Sequence, residues 1–129
     1  MRRFTLLAVV ALISLSANSA FACRCATPPP PKQSLAKSKA VFLGKVIRIE
    51  KTKPRDFGVS VLRVTFEVSR NFKNVTKRQV DVITSASGAS CGYNFTKGKT
   101  YLVYCLTAGG EKSLTTNLCS RTRPEKNAK

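Results

Sequence analysis

Histidine is absent from the sequence, and so is tryptophan. Without histidine the chain lacks the side chain most often used as a general base near neutral pH and as a metal ligand. Acids are scarce as well, 6 against 23 lysines and arginines. Glu50, Asp56, Glu67, Asp81, Glu111 and Glu125 lie singly, none spaced as a carboxylate pair or a metal cage. Hydrolytic and acid–base catalysis are therefore poorly supplied, and neither enzymatic activity nor a cofactor is expected. Long apolar runs are missing too. The longest, Phe4 to Leu15, falls short of the roughly 20 residues that a membrane-crossing helix needs.

That run has a different use. Arg2 and Arg3 precede it, and Ala20-Phe21-Ala22 follows as a small-x-small cleavage site, the pattern of a signal peptide over residues 1–22. Cleavage after Ala22 makes Cys23 the N-terminus of an exported chain, secreted or periplasmic. A lipoprotein leader also ends at a cysteine and would acylate it, but the bulky Phe21 fits that motif poorly. Removing 22 of the 129 residues leaves 107, enough for one small domain with a modest core. The net charge of +17 less the two leader arginines is +15. All 5 cysteines (Cys23, Cys25, Cys91, Cys105 and Cys119) lie beyond the leader. In a small exported domain they read as disulfide staples, and the odd number leaves at least one unpaired or bonded to another molecule.

Prolines 28 to 31 hold the start of the domain extended, and a helical turn is expected around Gln33 to Ser38. Val41–Glu50 is rich in β-branched residues and is interrupted by Gly44, a bulge or bend signal. Val61–Ser69 alternates most cleanly, with Leu62, Val64, Phe66 and Val68 on the buried side. Gln79–Thr84, Thr100–Leu106 and Ser113–Cys119 complete five predicted strands. Lys51–Gly58 and Ser85–Ser90 read as loops, and Thr107–Lys112 as a hairpin turn. Little helix and five strands point to an all-β fold, a small barrel or sandwich. Gly44 suits the long bent first strand of a five-stranded OB barrel. The domain is placed at residues 23–120, and residues 121–129 form a charged tail expected to be disordered.

Two basic clusters stand out: Lys37, Lys39, Lys45, Arg48, Lys51, Lys53 and Arg55, then Arg70, Lys73, Lys77 and Arg78. Their field should attract an anionic glycan, an acidic envelope polymer or an acidic protein. Phe66, Tyr93, Phe95, Tyr101 and Tyr104 could stack bases, but their apolar strand contexts assign them to the core, and export removes nucleic acid as a physiological partner. Cys105, inside an apolar strand, reads as a buried free thiol in a monomer, with an intermolecular disulfide dimer as the alternative. Asn74-Val75-Thr76 and Asn94-Phe95-Thr96 match the glycosylation sequon.

A Cys-x-Cys at the expected new terminus, the prolines after it, Ser90-Cys91-Gly92-Tyr93-Asn94-Phe95 and Leu114-Thr-Thr-Asn-Leu-Cys119 together resemble the N-terminal domain of the tissue inhibitors of metalloproteinases, within the wider netrin-like group. Ser38–Ile49 is similar to that family's first long strand. The resemblance implies an OB barrel with disulfides Cys23–Cys91 and Cys25–Cys119. It further implies that the α-amine and carbonyl of Cys23 chelate the catalytic zinc of a target metalloproteinase. Arg24, Cys25, Ala26 and Thr27 would form the binding ridge beside Ala89 and Ser90. Family members usually carry a small residue where this sequence has Arg24, and the third disulfide of the family's domain has no counterpart here. The rival expectation is a non-inhibitory module that binds an anionic polymer through its basic surface.

Overall fold

The computed structural model describes residues 23–52, 60–107 and 113–126. The expected signal peptide, Lys53, Arg55 and most of the two loops around residues 53–59 and 108–112 lie outside them.

The extended prolines lead into helix α1 (Pro31–Lys37), with Pro31 in its first turn, where a missing N–H costs nothing. The strands are β1 (Ala40–Thr52), β2 (Val61–Lys73), β3 (Gln79–Ser85), β4 (Thr100–Thr107), β5 (Leu114–Thr115) and β6 (Arg123–Pro124). β1 pairs antiparallel with both β2 and β4, β2 with β3, and β5 bridges β3 and β4. The ring β1-β2-β3-β5-β4 therefore closes on itself, an OB-like barrel of five strands.

Gly44 sits at a register shift in β1, where a side chain would meet the Phe42 ring and the Glu67 carbonyl at 3.0–3.1 Å. Its bareness lets β1 turn between its two neighbours. Inside the ring, Phe42, Val46, Val64, Phe66, Val82, Val103 and Cys105 are fully buried. Edge-to-face ring contacts run Phe42–Phe66–Phe95–Tyr101 at centroid distances of 5.3, 5.2 and 4.9 Å. These aromatics fill the core and offer no base-stacking platform.

β1 and β2 run on to Thr52 and Lys73, past the predicted ends at Glu50 and Ser69, and three further details differ from the sequence reading. Thr65, expected on the wet face of β2, is buried, a position its hydroxyl tolerates by donating to Asp81 Oδ1 at 2.7 Å. The fifth strand is two residues long; Thr116 N–H still donates to the Ile83 carbonyl, and Asn117–Cys119 then turns toward the N-terminal segment that Cys119 bridges. The start of the charged tail is ordered: Arg123 and Pro124 pair with Leu102 and Tyr101, and Thr122 is buried.

Candidate functional site

Cys23 and Cys25 bracket Arg24 and are each bonded across the fold. Cys23 joins Cys91, with Cα atoms 5.2 Å apart across a sequence separation of 68. Cys25 joins Cys119, 5.0 Å apart across a separation of 94. The two bridges lie against each other, since Cys119 Sγ is 4.0 Å from both Cys23 Sγ and Cys91 Sγ. Cys23, Cys25 and Cys119 sulfurs fall within 4.8 Å of one another, but all are spent in disulfides, so the cluster offers no thiolate to a metal.

The loop receiving Cys23 is built by backbone contacts. After β3, Ser87 caps a single 3-10 turn (Gly88–Ser90) by accepting the Ala89 N–H, and Cys91 turns the chain with a positive φ of 60°. Gly92 then donates to the Ser87 carbonyl at 3.0 Å. A Cβ on Gly92 would overlap the Ser85 carbonyl, so no other residue fits this approach. Cys91 is further tied to the second bridge, since its carbonyl accepts the Leu118 N–H at 2.7 Å. Ala89 and Ser90 are left exposed beside the Cys23 bridge.

Cys119 is positioned from below. Asn117 Oδ1 accepts the Cys119 N–H at 3.0 Å, and the hydroxyls of Thr116, Ser120 and Thr122 lie within 2.8–3.0 Å of one another. That cluster is anchored on β4, where Thr116 donates to the Tyr104 carbonyl and Thr122 accepts the Tyr104 N–H. The N-terminal strand is held a second time at Pro29, whose carbonyl accepts from Ser34 Oγ at 2.9 Å and Arg121 Nε at 2.8 Å. Between these anchors, Arg24, Cys25, Ala26 and Thr27 are exposed, and Cys23 is half-buried. Among the described residues Arg24 forms no ion pair; the two salt bridges are Arg48–Glu50 and Arg78–Glu67.

Arg121, Leu118 and Gly92 were not anticipated as site residues. Arg121 lies in the segment whose composition suggests a loose tail. Leu118, an exposed apolar side chain (52%), stands next to Cys119 at the edge of the ridge. Only its adjacency to a bridged cysteine could have marked it.

Cys105 is a free thiol with no exposure, and burial pushes its pKa up to about 12. A disulfide dimer through it would require the barrel to open, so that alternative is set aside.

The basic residues divide. Lys45, Arg48 and Lys51 lie on β1, and the first two face acids across the sheet: Lys45 is opposite Glu67, while Arg48, Thr65 and Asp81 share a row. A cleft of about 660 Å³ on this face is lined by Arg48, Arg63, Lys77 and Asp81 among others, and shares no residue with the ridge. Lys37, Lys39, Arg70 and Lys73 gather elsewhere. Lys73 Nζ donates to the Leu35 and Ala36 carbonyls, and Asn74 Nδ2 donates to the Lys39 carbonyl, which joins the end of β2 to the end of α1. Arg70 stacks over the exposed Phe72 ring at 5.0 Å. Lys77 and Arg78 occupy the β2–β3 connection.

No helix among the described residues is long and apolar enough to cross a membrane. A family model described as tissue inhibitor of metalloproteinase matches residues 21–128. A comparison with curated proteins returned no match.

Proposed function

This chain belongs to the tissue inhibitor of metalloproteinase family, and from that membership we propose that it is a secreted inhibitor of a zinc metalloproteinase acting through Cys23. The observation that carries the reading is the double clamp: adjacent residues on either side of Arg24 are bridged to two different parts of the barrel. Export with cleavage after Ala22 leaves a free α-amine on Cys23. That amine and the Cys23 carbonyl oxygen close a five-membered ring on a metal ion. They would occupy the position of the water that the protease activates for attack. A terminal amine has a pKa of roughly 7.7–8.0, so part of it is neutral near pH 7, and metal ligation competes further with the proton. Arg24, Cys25, Ala26 and Thr27 form the ridge that enters the cleft, with Ala89 and Ser90 alongside. The disulfides suit an oxidising compartment outside the cytosol.

The test is one alanine placed before Cys23. It leaves both disulfides in place and removes the amine from chelating reach, so inhibition should fall at least about 100-fold. Unchanged inhibition would refute chelation. The intact mass of the exported protein checks the premise: residues 23–129 with two disulfides and no acyl group.

A second reading is favoured by the charge layout. Three of the four described acids, Glu50, Glu67 and Asp81, lie on the β1–β2–β3 face, and the cations at the end of β2 are paired in register with apolar residues, Arg70 with Leu43 and Lys73 with Val41, rather than with an acid. This region would hold an anionic polymer outside the cell, independently of Cys23.

A further inference from the structure

We propose that the protease this chain inhibits carries a carboxylate in the pocket next to its zinc, and so belongs to the enzymes that cleave before basic residues. The inference rests on the reading of Cys23 as the zinc ligand.

If the amine and carbonyl of Cys23 both bind the metal, the next residue leaves the chelate ring directly beside it. Residue 24 has little freedom to turn elsewhere, because Cys23 is bonded to Cys91 and Cys25 to Cys119. Loop movement cannot relieve the constraint, since Leu118 N–H on Cys91 and Asn117 on Cys119 lock the two receiving segments to each other and to β4. The side chain at 24 must therefore enter whatever subsite adjoins the zinc.

That side chain is an arginine, permanently charged and exposed, with no ion pair of its own among the described residues. Burying it against an apolar wall would leave a guanidinium stripped of water and unpaired, which opposes binding strongly. Facing a carboxylate, the same group makes two parallel charge-assisted hydrogen bonds and becomes an anchor. Charge favours the same partner at long range, because the chain, at +17 less the two leader arginines, or +15, is drawn to a protease with an acidic cleft. Leu118, exposed at the flank of the ridge, adds an apolar contact outside the pocket.

The experiment uses the mature protein and two zinc metalloproteinases, one cleaving before Lys or Arg and one cleaving before Leu. Wild type should inhibit the first at least about 100-fold more tightly, as expected for a desolvated charge pair. Arg24→Leu should reverse that preference, and Arg24→Glu should abolish binding to the acidic pocket while leaving the fold intact by circular dichroism. Arg24→Lys should recover only part of the affinity, because a lysine cannot pair bidentately. Wild-type preference for the Leu-directed enzyme, or indifference of the first enzyme to Arg24→Leu, would overturn the proposal. The underlying reading fails separately: inhibition that survives an alanine before Cys23 rejects chelation whatever residue 24 does. Inhibition of neither enzyme overturns both.

Discussion

Gly92 is the residue on which the shape of the candidate site turns. Its Cα lies so close to the Ser85 carbonyl that any Cβ would overlap it and come within 2.9 Å of the Ser87 carbonyl. Both obstacles are backbone, so neither can swing aside. Gly92→Ala should therefore push Cys91 out of place and cost at least about 2 kcal/mol, read as a lowered denaturation midpoint in urea. An unchanged midpoint would mean that the loop has slack that its hydrogen bonds do not suggest. Cys105 makes a different kind of prediction. Its thiol is neutral at pH 7, and burial holds its pKa near 12 against an ordinary value of 9.0. An acid whose pKa is raised on folding adds stability that is fully present below pH 9 and is lost as pH rises toward 12. Between pH 8 and 10.5 the wild type should lose about 2 kcal/mol more than Cys105→Ala, measured by urea denaturation at each pH. Equal losses would place the thiol in contact with water.

At the scale of elements, the most legible parts were those in which one face is buried along a whole strand. β2 alternates from Leu62 to Val68, and its apolar positions pack on the core. Gly44 marked the bend in β1, where a Cβ would crowd the Phe42 ring and the Glu67 carbonyl at 3.0–3.1 Å and force one of them to shift. β5 was read too long for a physical reason. Leu114-Thr-Thr-Asn-Leu has strand composition, and Thr116 N–H still reaches the Ile83 carbonyl, but Asn117 Oδ1 takes the Cys119 N–H and Leu118 N–H goes to the Cys91 carbonyl, which bends the backbone off the sheet. β6 was missed because charge and proline suggest disorder, whereas Arg123 and Pro124 need only two positions on β4 to pair. The site itself was legible mainly through its cysteines. Arg121 and Leu118 act through contacts 92 residues away in sequence and through a backbone hydrogen bond to Cys91, which no local pattern reports. The clamp also has a measurable share in stability. Each bridge closes a long loop, so Cys25→Ser combined with Cys119→Ser should lower stability by about 4–5 kcal/mol, a large part of what a domain of this size has. A loss under about 1 kcal/mol would show that the Pro29 contacts and the hydroxyl cluster hold the N-terminus without the bridge.

Over the whole molecule, charge is abundant but unevenly spread, and the distribution separates its two cationic regions. Lys45 and Arg48 share the outer face of β1–β2–β3 with Glu50, Glu67 and Asp81, so their field is partly cancelled at close range. Around α1 and the end of β2, Lys37 and Lys39 are exposed, Arg70 stacks on the exposed Phe72, and Lys73 ties the two elements together through the Leu35 and Ala36 carbonyls. Net charge alone would predict that any two lysines contribute alike to binding a polyanion; the register predicts that they do not. On a sulfated-polysaccharide column, Lys37→Glu, Lys39→Glu and Arg70→Glu together should lower the salt needed for elution much more than Lys45→Glu with Arg48→Glu, even after scaling for the charge removed. The dependence should flatten above roughly 0.5 M salt, where screening extends over only a few ångströms. None of these residues belongs to the ridge, so chelation by Cys23 should survive in both variants, with only a salt-sensitive slowing of association that scales with the charge removed, whichever region it comes from. Equal loss per charge from the two regions would mean that the polymer responds to the total charge and that the α1 end of the barrel is no site of its own.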